Sequence, residues 1–385
     1  MSIRVLFVCH GNICRSTMAQ SVFSHMVKEK SPRALLRADY IIESAATSRE
    51  EIGNPPHHGT VNMLRRNEIP LIPHRATQMT KADYDKYDYL IGMDEANIRN
   101  MKRIAGGDPQ GKIHKLLSFA GREEDVADPW YTGDFEKTYE DIIAGCEGLL
   151  RHIETYQAVR YLEKDYLLNV SMIEVLRRKQ AHVVSRADDG VLVLLDSEPI
   201  YMLSADTTKT ASELLADIDD LKMIVVHGEK LFEYVREKYS KLSESMPCFQ
   251  AAYTKDEAPS LKKSSDFRVL DKSFFRTIRE HYKKIDDDEY VDMLLENKAM
   301  YGIFVGGSLA GFIGMHEEGS IGLLEVFPEY RNKGMGTELE RFMIIQNMKQ
   351  SYVPFAQIEV DNHISIDMQR KLGMDISKEM LMWLL

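Results

Sequence analysis

The sequence predicts an α/β protein. An N-terminal doubly wound parallel sheet of four strands comes first, followed by a tandem α/β region with mixed sheets. Three observations carry this. Up to Gln157, short apolar runs alternate with helical segments, the pattern of a parallel sheet covered by helices. The first apolar run ends on a tight loop, at the carboxyl end of a strand, where such sheets place their ligand sites. Past Gln157, short strands are joined by Asp/Gly turns, and the order of elements partly recurs after residue 265 as a structural duplication without a clear sequence repeat.

In order, residues 3–8 read as a strand and 17–28 as a helix. A second strand over 40–45 runs into Ser44-Ala45-Ala46-Thr47-Ser48. Pro55 and Pro56 break the chain before a short helix at 58–67. A buried-type strand at 88–93 is followed by a helix at 95–104. Gly106, Gly107 and Pro109 turn the chain into a fourth strand, 113–118. A closing helix at 135–157 aligns Ile142, Ile143, Cys146, Leu149, Leu150 and Ile153 on one face. Beyond it, strands at 181–186, 191–195 and 199–204 are separated by Asp188-Asp189-Gly190 and Asp196-Ser197-Glu198. Helix 210–218, strand 222–227, helix 230–241 and strand 248–254 follow, then a polar linker, 255–265. The second round has a strand at 267–270, helices over 273–297, and strands at 300–305, 309–316 and 321–327. A helix at 336–348, a strand at 355–360 and a helix at 364–372 complete it. The expected domains are 1–157, 158–260 and 261–385.

The first loop is Cys9-His10-Gly11-Asn12-Ile13-Cys14-Arg15-Ser16. Five residues between Cys9 and Arg15 suffice to curl backbone N–H groups around a tetrahedral oxyanion, with a helix N-terminus behind them. That field and Arg15 favour the thiolate of Cys9, a nucleophile at neutral pH. The planar fork of Arg15 can hold two phosphate oxygens. His10 to Arg15 therefore form a phosphate cradle suited to attack on phosphorus.

This string, following a strand close to the N-terminus, resembles the low-molecular-weight protein tyrosine phosphatases over roughly the first 157 residues. Asp128-Pro129-Trp130-Tyr131 resembles that family's acid loop. The resemblance implies Cys9 as nucleophile, Asp128 as the acid that protonates the leaving oxygen, and a loop shaped by Asn12 with Ser16, Ser44 and His74. It implies no cofactor for this half, and a reversible disulfide between Cys9 and Cys14, which packing alone would otherwise explain. Trp130 and Tyr131 offer aromatic walls to the substrate. Glu50 stands where the family usually carries an aromatic wall, and a carboxylate there repels acidic peptides.

The second chemistry lies in Glu325-Val326-Phe327-Pro328-Glu329-Tyr330-Arg331-Asn332-Lys333-Gly334-Met335-Gly336. A strand, a turn and a glycine-containing helix start let bare amides approach a pyrophosphate. The string resembles the acyl-CoA motif of the GCN5-related N-acetyltransferases, over about 266–385. Val360-Asp361-Asn362 with Ser365, then Arg370 to Met374, resembles the family's later cofactor motif. The resemblance implies acetyl-CoA as cofactor, held by Val326, Arg331 to Gly336 and Asn362, and an amine as acyl acceptor. Glu325 reads as a general base through water, or as a purely structural strand residue. Gln369 replaces the family's frequent tyrosine acid. The segment 161–254 looks like a divergent copy without the glycine loop and is expected to bind no CoA.

Composition bounds the rest. In 385 residues the net charge is −11, with acidic residues exceeding basic ones by 2 up to Gln157 and by 9 beyond it. No general nucleic-acid surface is expected. No apolar run approaches the roughly 20 residues of a membrane span, and four cysteines make no disulfide scaffold, so a cytoplasmic protein is expected. Cys146 and Cys248 read as core. His57-His58 reads as a solvated loop, because no third ligand lies at metal spacing. Asp286-Asp287-Asp288-Glu289 reads as an exposed helix start. The reading is a bifunctional enzyme: a phosphatase for a phosphorylated protein or small aryl phosphate, joined to an N-acyltransferase. Two alternatives stay open: an arsenate-reductase-like thiol enzyme, which shares the Cys-x5-Arg loop but needs resolving thiols, and a C-terminal half that senses CoA without turnover.

Overall fold

The structure, a computed structural model, describes residues 2–30, 40–284 and 287–385. The chain divides into two compact units, Met1–Gln157 and Ala158–Leu385.

In the first unit, β1 (Ile3–Cys9), α1 (Arg15–Lys30), β2 (Tyr40–Ala46), α2 (His58–Arg66), α3 (Lys81–Lys86) and β3 (Tyr89–Gly92) are followed by α4 (Glu95–Ala105) and β4 (Ile113–Lys115). Short α5 (Pro129–Thr132) and long α6 (Phe135–Leu162) close it. The sheet order is β2-β1-β3-β4 and every pair is parallel. This is the four-stranded doubly wound sheet the sequence predicts. The β1 strand is central, so both its faces are covered, and Val5, Phe7 and Val8 are fully buried. Its residues split between two cores: Val5 and Phe7 pack with Met18, Val22, Phe23 and the apolar face of α6, while Leu6 and Val8 pack with Tyr84, Leu90 and Met101. The fourth strand is shorter than expected. Leu116–Ala120 forms a 3-10 turn, which buries Leu116 and Leu117.

The second unit begins with α7 (Val170–Arg177), β5 (Ala181–Ala187), β6 (Gly190–Leu195), β7 (Ile200–Ala205) and α8 (Thr208–Leu214). Then come β8 (Met223–His227), α9 (Phe232–Lys238), β9 (Ser245–Ala252), β10 (Asp266–Val269), α10 (Phe275–His281) and α11 (Asp288–Glu296). The chain ends with β11 (Met300–Val305), β12 (Ser308–Met315), β13 (Ile321–Val326), α12 (Met335–Lys349), β14 (Phe355–Glu359), α13 (His363–Leu372) and β15 (Asp375–Leu384). One sheet has the order β10-β11-β12-β13, and the other β14-β9-β15-β8-β7-β6-β5. Both are mixed or antiparallel, as expected of the second part.

The terminal strand β15 is absent from the sequence reading, and it changes the architecture. It lies between β8 and β9, antiparallel to both, while β9 pairs on its other side with β14. Strands from before and after residue 260 therefore alternate in one hydrogen-bonded sheet. The helix start at 286–289 is described only in part: Asp286 lies outside the described residues, and Asp287 caps α11 by accepting the Tyr290 N–H at 3.0 Å.

Candidate functional site

The loop between β1 and α1 is shaped by one asparagine. Asn12 adopts a left-handed backbone (φ 58°), a conformation asparagine tolerates better than most residues, and it is completely buried. Its side-chain amide donates to Ser16 Oγ at 2.9 Å and Ser44 Oγ at 3.0 Å, and its Oδ1 accepts the Thr77 N–H at 3.1 Å. His74 Nε2 donates to its carbonyl oxygen at 3.0 Å. Burial, only partly offset by that bond, lowers the His74 pKa. Ser44 in turn donates to Gln20 Oε1 at 2.7 Å. Ser16 Oγ, which accepts from Asn12, also lies 3.1 Å from Cys9 Sγ and donates to that sulfur when it is a thiolate. The Asn12 N–H also points at that sulfur, at 3.2 Å. The structure thus brings together Cys9, Asn12, Ser16, Ser44 and His74.

Arg15 is held by two carboxylates. Nη1 lies 2.7 Å from Asp94 Oδ2, and Nη2 lies 2.6 Å from Asp128 Oδ2. Burial disfavours its charge, yet Cys9, Asp128 and Asp94 outweigh burial and raise its pKa. Asp128 doubles as the cap of α5, its Oδ1 accepting the Trp130 N–H at 3.1 Å with Pro129 at the first helical position. Asp94 escaped the sequence reading. It lies two residues after β3 and caps α4, accepting the Asn97 N–H at 2.6 Å. The available signal was position: an aspartate at the carboxyl end of the strand beside β1.

Cys14 stands in the same loop, and burial, then Cys9 and Asp128, push its thiol up to about 12. Burial likewise raises Cys146 in the core and holds Cys248 at about 12. At the rim, Glu50 Oε2 meets His10 Nε2 at 3.0 Å, and both side chains are exposed. Trp130 is 61% and Tyr131 83% exposed, and Ile52, unremarked in the sequence, is 52% exposed. The His57 ring lies flat on Phe135 (5.2 Å, 6°) and edge-on to Trp130 (6.2 Å). Its backbone N–H donates to Ile13 O at 2.9 Å, so it is an ordered wall of the loop rather than a solvated turn.

In the second unit, Gly334 caps α12 with a left-handed φ of 81°, and Asn332 turns the loop with φ 60°. A side chain at Gly334 would be strained there. The strand before it carries a bulge: register breaks between Phe312 and Gly314, and Leu323 takes φ 54°. The β13 edge and the β14 edge belong to different sheets and form no ladder, which leaves strand edges open beside the glycine loop. A bare loop at a helix start next to open backbone edges fits the diphosphate and amide chain of CoA. Earlier in the same unit, by contrast, β7 and β8 pair in parallel from Ile200–Met223 to Ser204–His227, which leaves no opening between them.

Arg331 folds back onto Glu325: Nη2 lies 2.9 Å from Oε1, and Nε donates to Val326 O at 2.9 Å. Lys333 Nζ donates to Glu329 O at 2.8 Å. Asn362 caps α13 by accepting the Ser365 N–H at 3.1 Å. Gln369 is buried and donates to Glu340 Oε1 at 2.9 Å. Burial raises the Glu340 carboxyl to about 7, against the lowering effect of that bond.

Residues 4–159 match the family described as low molecular weight phosphotyrosine protein phosphatase, and 265–374 the GNAT family of acetyltransferases. The low molecular weight protein-tyrosine-phosphatase YfkJ of Bacillus subtilis is 42% identical over 154 residues, 40% of this chain and 96% of that protein. PtpA of Staphylococcus epidermidis is 38% identical over 152 residues, 39% of this chain and 94% of that protein. The crystal structure of YfkJ aligns at 40% identity with a TM-score of 0.38, covering 40% of this chain and 97% of that one. No described helix is long and apolar enough to cross a membrane. With its cysteine cradle, its buried arginine and these relatives, the chain belongs to the low molecular weight phosphotyrosine protein phosphatase family, and it carries a GNAT acetyltransferase domain after the phosphatase domain.

Proposed function

We propose that the first unit hydrolyses phosphotyrosine or aryl phosphate monoesters through a cysteinyl-phosphate intermediate. The observation that supports it most is the sulfur of Cys9, which faces the Asn12 N–H and the Ser16 O–H within one turn of Arg15. As thiolate, Cys9 attacks phosphorus in line with the ester oxygen, and the P–O bond breaks. Asp128, in its protonated form, gives its proton to that leaving oxygen. Backbone amides of His10 to Arg15 and the Arg15 fork hold the three equatorial oxygens. Asp128 then takes a proton from the water that attacks the thiophosphate, which releases phosphate and regenerates the thiolate. Asp128 rests on Arg15, so a phosphate dianion competes with a carboxylate for that guanidinium. Trp130, Tyr131 and Glu50 bound the entrance, and Cys14 is the partner for a reversible disulfide that protects Cys9.

The test is hydrolysis of p-nitrophenyl phosphate. Cys9→Ser abolishes turnover while the melting temperature stays near that of the wild type; retention of most of kcat would refute the mechanism. Asp128→Asn slows esters of poor leaving groups far more than those of good ones. An equal loss across a leaving-group series would remove Asp128 from the role of acid.

For the second unit we propose acyl transfer from acetyl-CoA to an amine. When bound, the cofactor supplies the activated acyl group. Residues 261–385 bind it, and 158–260 form a divergent copy that shares strands with them and binds none. Val326, Arg331 to Gly336 and Asn362 line the cofactor site, and Glu325 accepts the amine proton through water once Arg331 releases it. The protein works in the cytoplasm.

A further inference from the structure

The loop that carries Asp128 is met at both ends by a single imidazole. Trp130, in α5, lies edge-on to the His57 ring at 6.2 Å. Phe135, where α6 begins, lies flat on the same ring, 5.2 Å away and 6° from parallel. Phe135 also packs against Ile13, Cys14 and Ala76, so the stack reaches the phosphate loop. The approach is close because residue 59 is glycine: a Cβ there would fall 2.4 Å from two atoms of the Phe135 ring.

The imidazole itself is anchored from its own backbone. Pro55 and Pro56 stiffen the chain before it. The His57 N–H donates to Ile13 O at 2.9 Å, inside the phosphate loop. Its Nδ1 accepts the Gly59 N–H at 3.1 Å and so caps α2. An Nδ1 that accepts carries no proton, which puts the hydrogen of the neutral ring on Nε2. Burial, then the neighbouring His58 ring, lower the His57 pKa and favour that neutral form. Beyond Trp130 stands the acid. The Trp130 N–H donates to Asp128 Oδ1 at 3.1 Å, while Asp128 Oδ2 rests on Arg15. A shift of Trp130 therefore moves the bond that orients the Asp128 carboxyl.

We propose that His57 is a positioning residue of the phosphatase, whose ring clamps the acid loop against the phosphate loop and so aims Asp128 at the leaving oxygen. The proposal rests on the phosphatase reading with Asp128 as acid, and it adds a residue from outside both motifs. His57 moves no proton in this scheme. It acts through the rings of Trp130 and Phe135, by shape.

Two variants of the full chain separate the ring from the cap. His57→Asn keeps a side-chain acceptor for the Gly59 N–H and removes the ring. His57→Phe keeps a neutral ring and removes the acceptor. Both are assayed on aryl phosphates of graded leaving-group pKa, with inorganic phosphate as competitive inhibitor. His57→Asn should lower kcat/KM about tenfold for poor leaving groups, a fraction of what a general acid contributes, and little for good ones. Its inhibition constant for phosphate should stay at the wild-type value. His57→Phe should recover most of the lost kcat/KM, at a lower melting temperature. An unchanged kcat/KM in His57→Asn, or a loss that His57→Phe does not recover, overturns the proposal. An equal loss across the series, or weaker phosphate inhibition, makes His57 a support of the phosphate loop and overturns it too. A flat leaving-group response in Asp128→Asn removes the acid on which it rests. A wild-type chain without turnover overturns the phosphatase reading itself, and the proposal with it.

Discussion

Arg15 is nearly inaccessible, its side chain 4% exposed, and both halves of its fork are occupied by carboxylates. Asp94 fixes one nitrogen from the rigid start of α4, and Asp128 comes from a short loop-borne helix. The Asp94 pair therefore orients the guanidinium, while under the proposed mechanism the Asp128 pair is the one to exchange for substrate. Glu50 belongs to the same electrostatic picture. Its bond to His10 draws a carboxylate to the cradle's rim. Exposed pairs of this kind contribute little stability, so the position can be changed without harm to the fold. Glu50→Trp is expected to raise kcat/KM for phosphotyrosine peptides, most of all acidic ones, by adding a stacking face and removing a repulsive charge. Steady-state kinetics on a neutral and an acidic peptide check this, and an unchanged ratio between them would contradict it. Cys9, Arg15 and Asp128, which the structure brings together, stood out in sequence because they sit in one short string and one tetrapeptide. Asp94 did not, because its role depends on two neighbouring strands ending side by side, which spacing along the chain does not encode.

Elements were legible where one face is wet. The α6 helix shows its apolar stripe because Ile142, Cys146, Leu149 and Ile153 are buried while Glu140, Glu147 and Arg151 are exposed. In α7, Val170 to Leu176 are all buried, so no amphipathic period marks the helix. The β15 strand is hidden for another reason. Its ladder with β9 breaks between Ile376 and Met380, where the Ser377 hydroxyl donates to Glu379 O and accepts the Gln250 N–H. That bulge destroys the alternation a strand would display. Between α12 and α13 lies a pair the sequence announced only as a missing tyrosine. Glu340 and Gln369 share one bond, and Glu340 Oε2 and Gln369 Oε1 have none. A carboxyl raised from 4.5 to about 7 in the folded chain ionises first in the unfolded one. Below pH 4.5 it is neutral in both states and has no effect. Stability is lost as pH rises from there to about 7, by roughly 3 kcal/mol at 1.36 kcal/mol per unit. Glu340→Gln keeps the shape and removes the titration. It should raise the melting temperature of the second unit at pH 8 by several degrees and leave it unchanged at pH 4.5. Equal effects at both pH values would show that Glu340 is not buried as a neutral acid.

At the scale of the whole chain, the division at Gln157 separates one parallel sheet, with the Cys9 loop at a strand's end, from one antiparallel and one mixed sheet. The sequence separated these two parts because motif, turn chemistry and charge all change there. It divided the second part at 260 because the elements recur, but β9 lies between two strands from after that point, β14 and β15, and β15 between two from before it, β8 and β9. No local pattern records which strand will fill a gap in another's sheet. The shared sheet has a consequence for stoichiometry. Between residues 158 and 260, β7 and β8 are paired with each other, and α8 starts on Thr207 and Thr208 with no glycine loop before it. One CoA per chain is expected. Gly334→Glu should abolish that binding. The site requires a left-handed φ, the added side chain fills the cradle, and its carboxylate lies within reach of Lys262. The same variant should leave p-nitrophenyl phosphate kinetics unchanged, because no residue of the phosphate cradle comes from the second unit. Conversely, Cys9→Ser should bind CoA with wild-type affinity. Calorimetry and phosphatase assays on one preparation of each variant decide the matter. Two bound CoA molecules would show that the divergent copy opens. A phosphatase rate shifted several-fold by saturating acetyl-CoA would demand a coupling free energy between the sites, one that works in both directions.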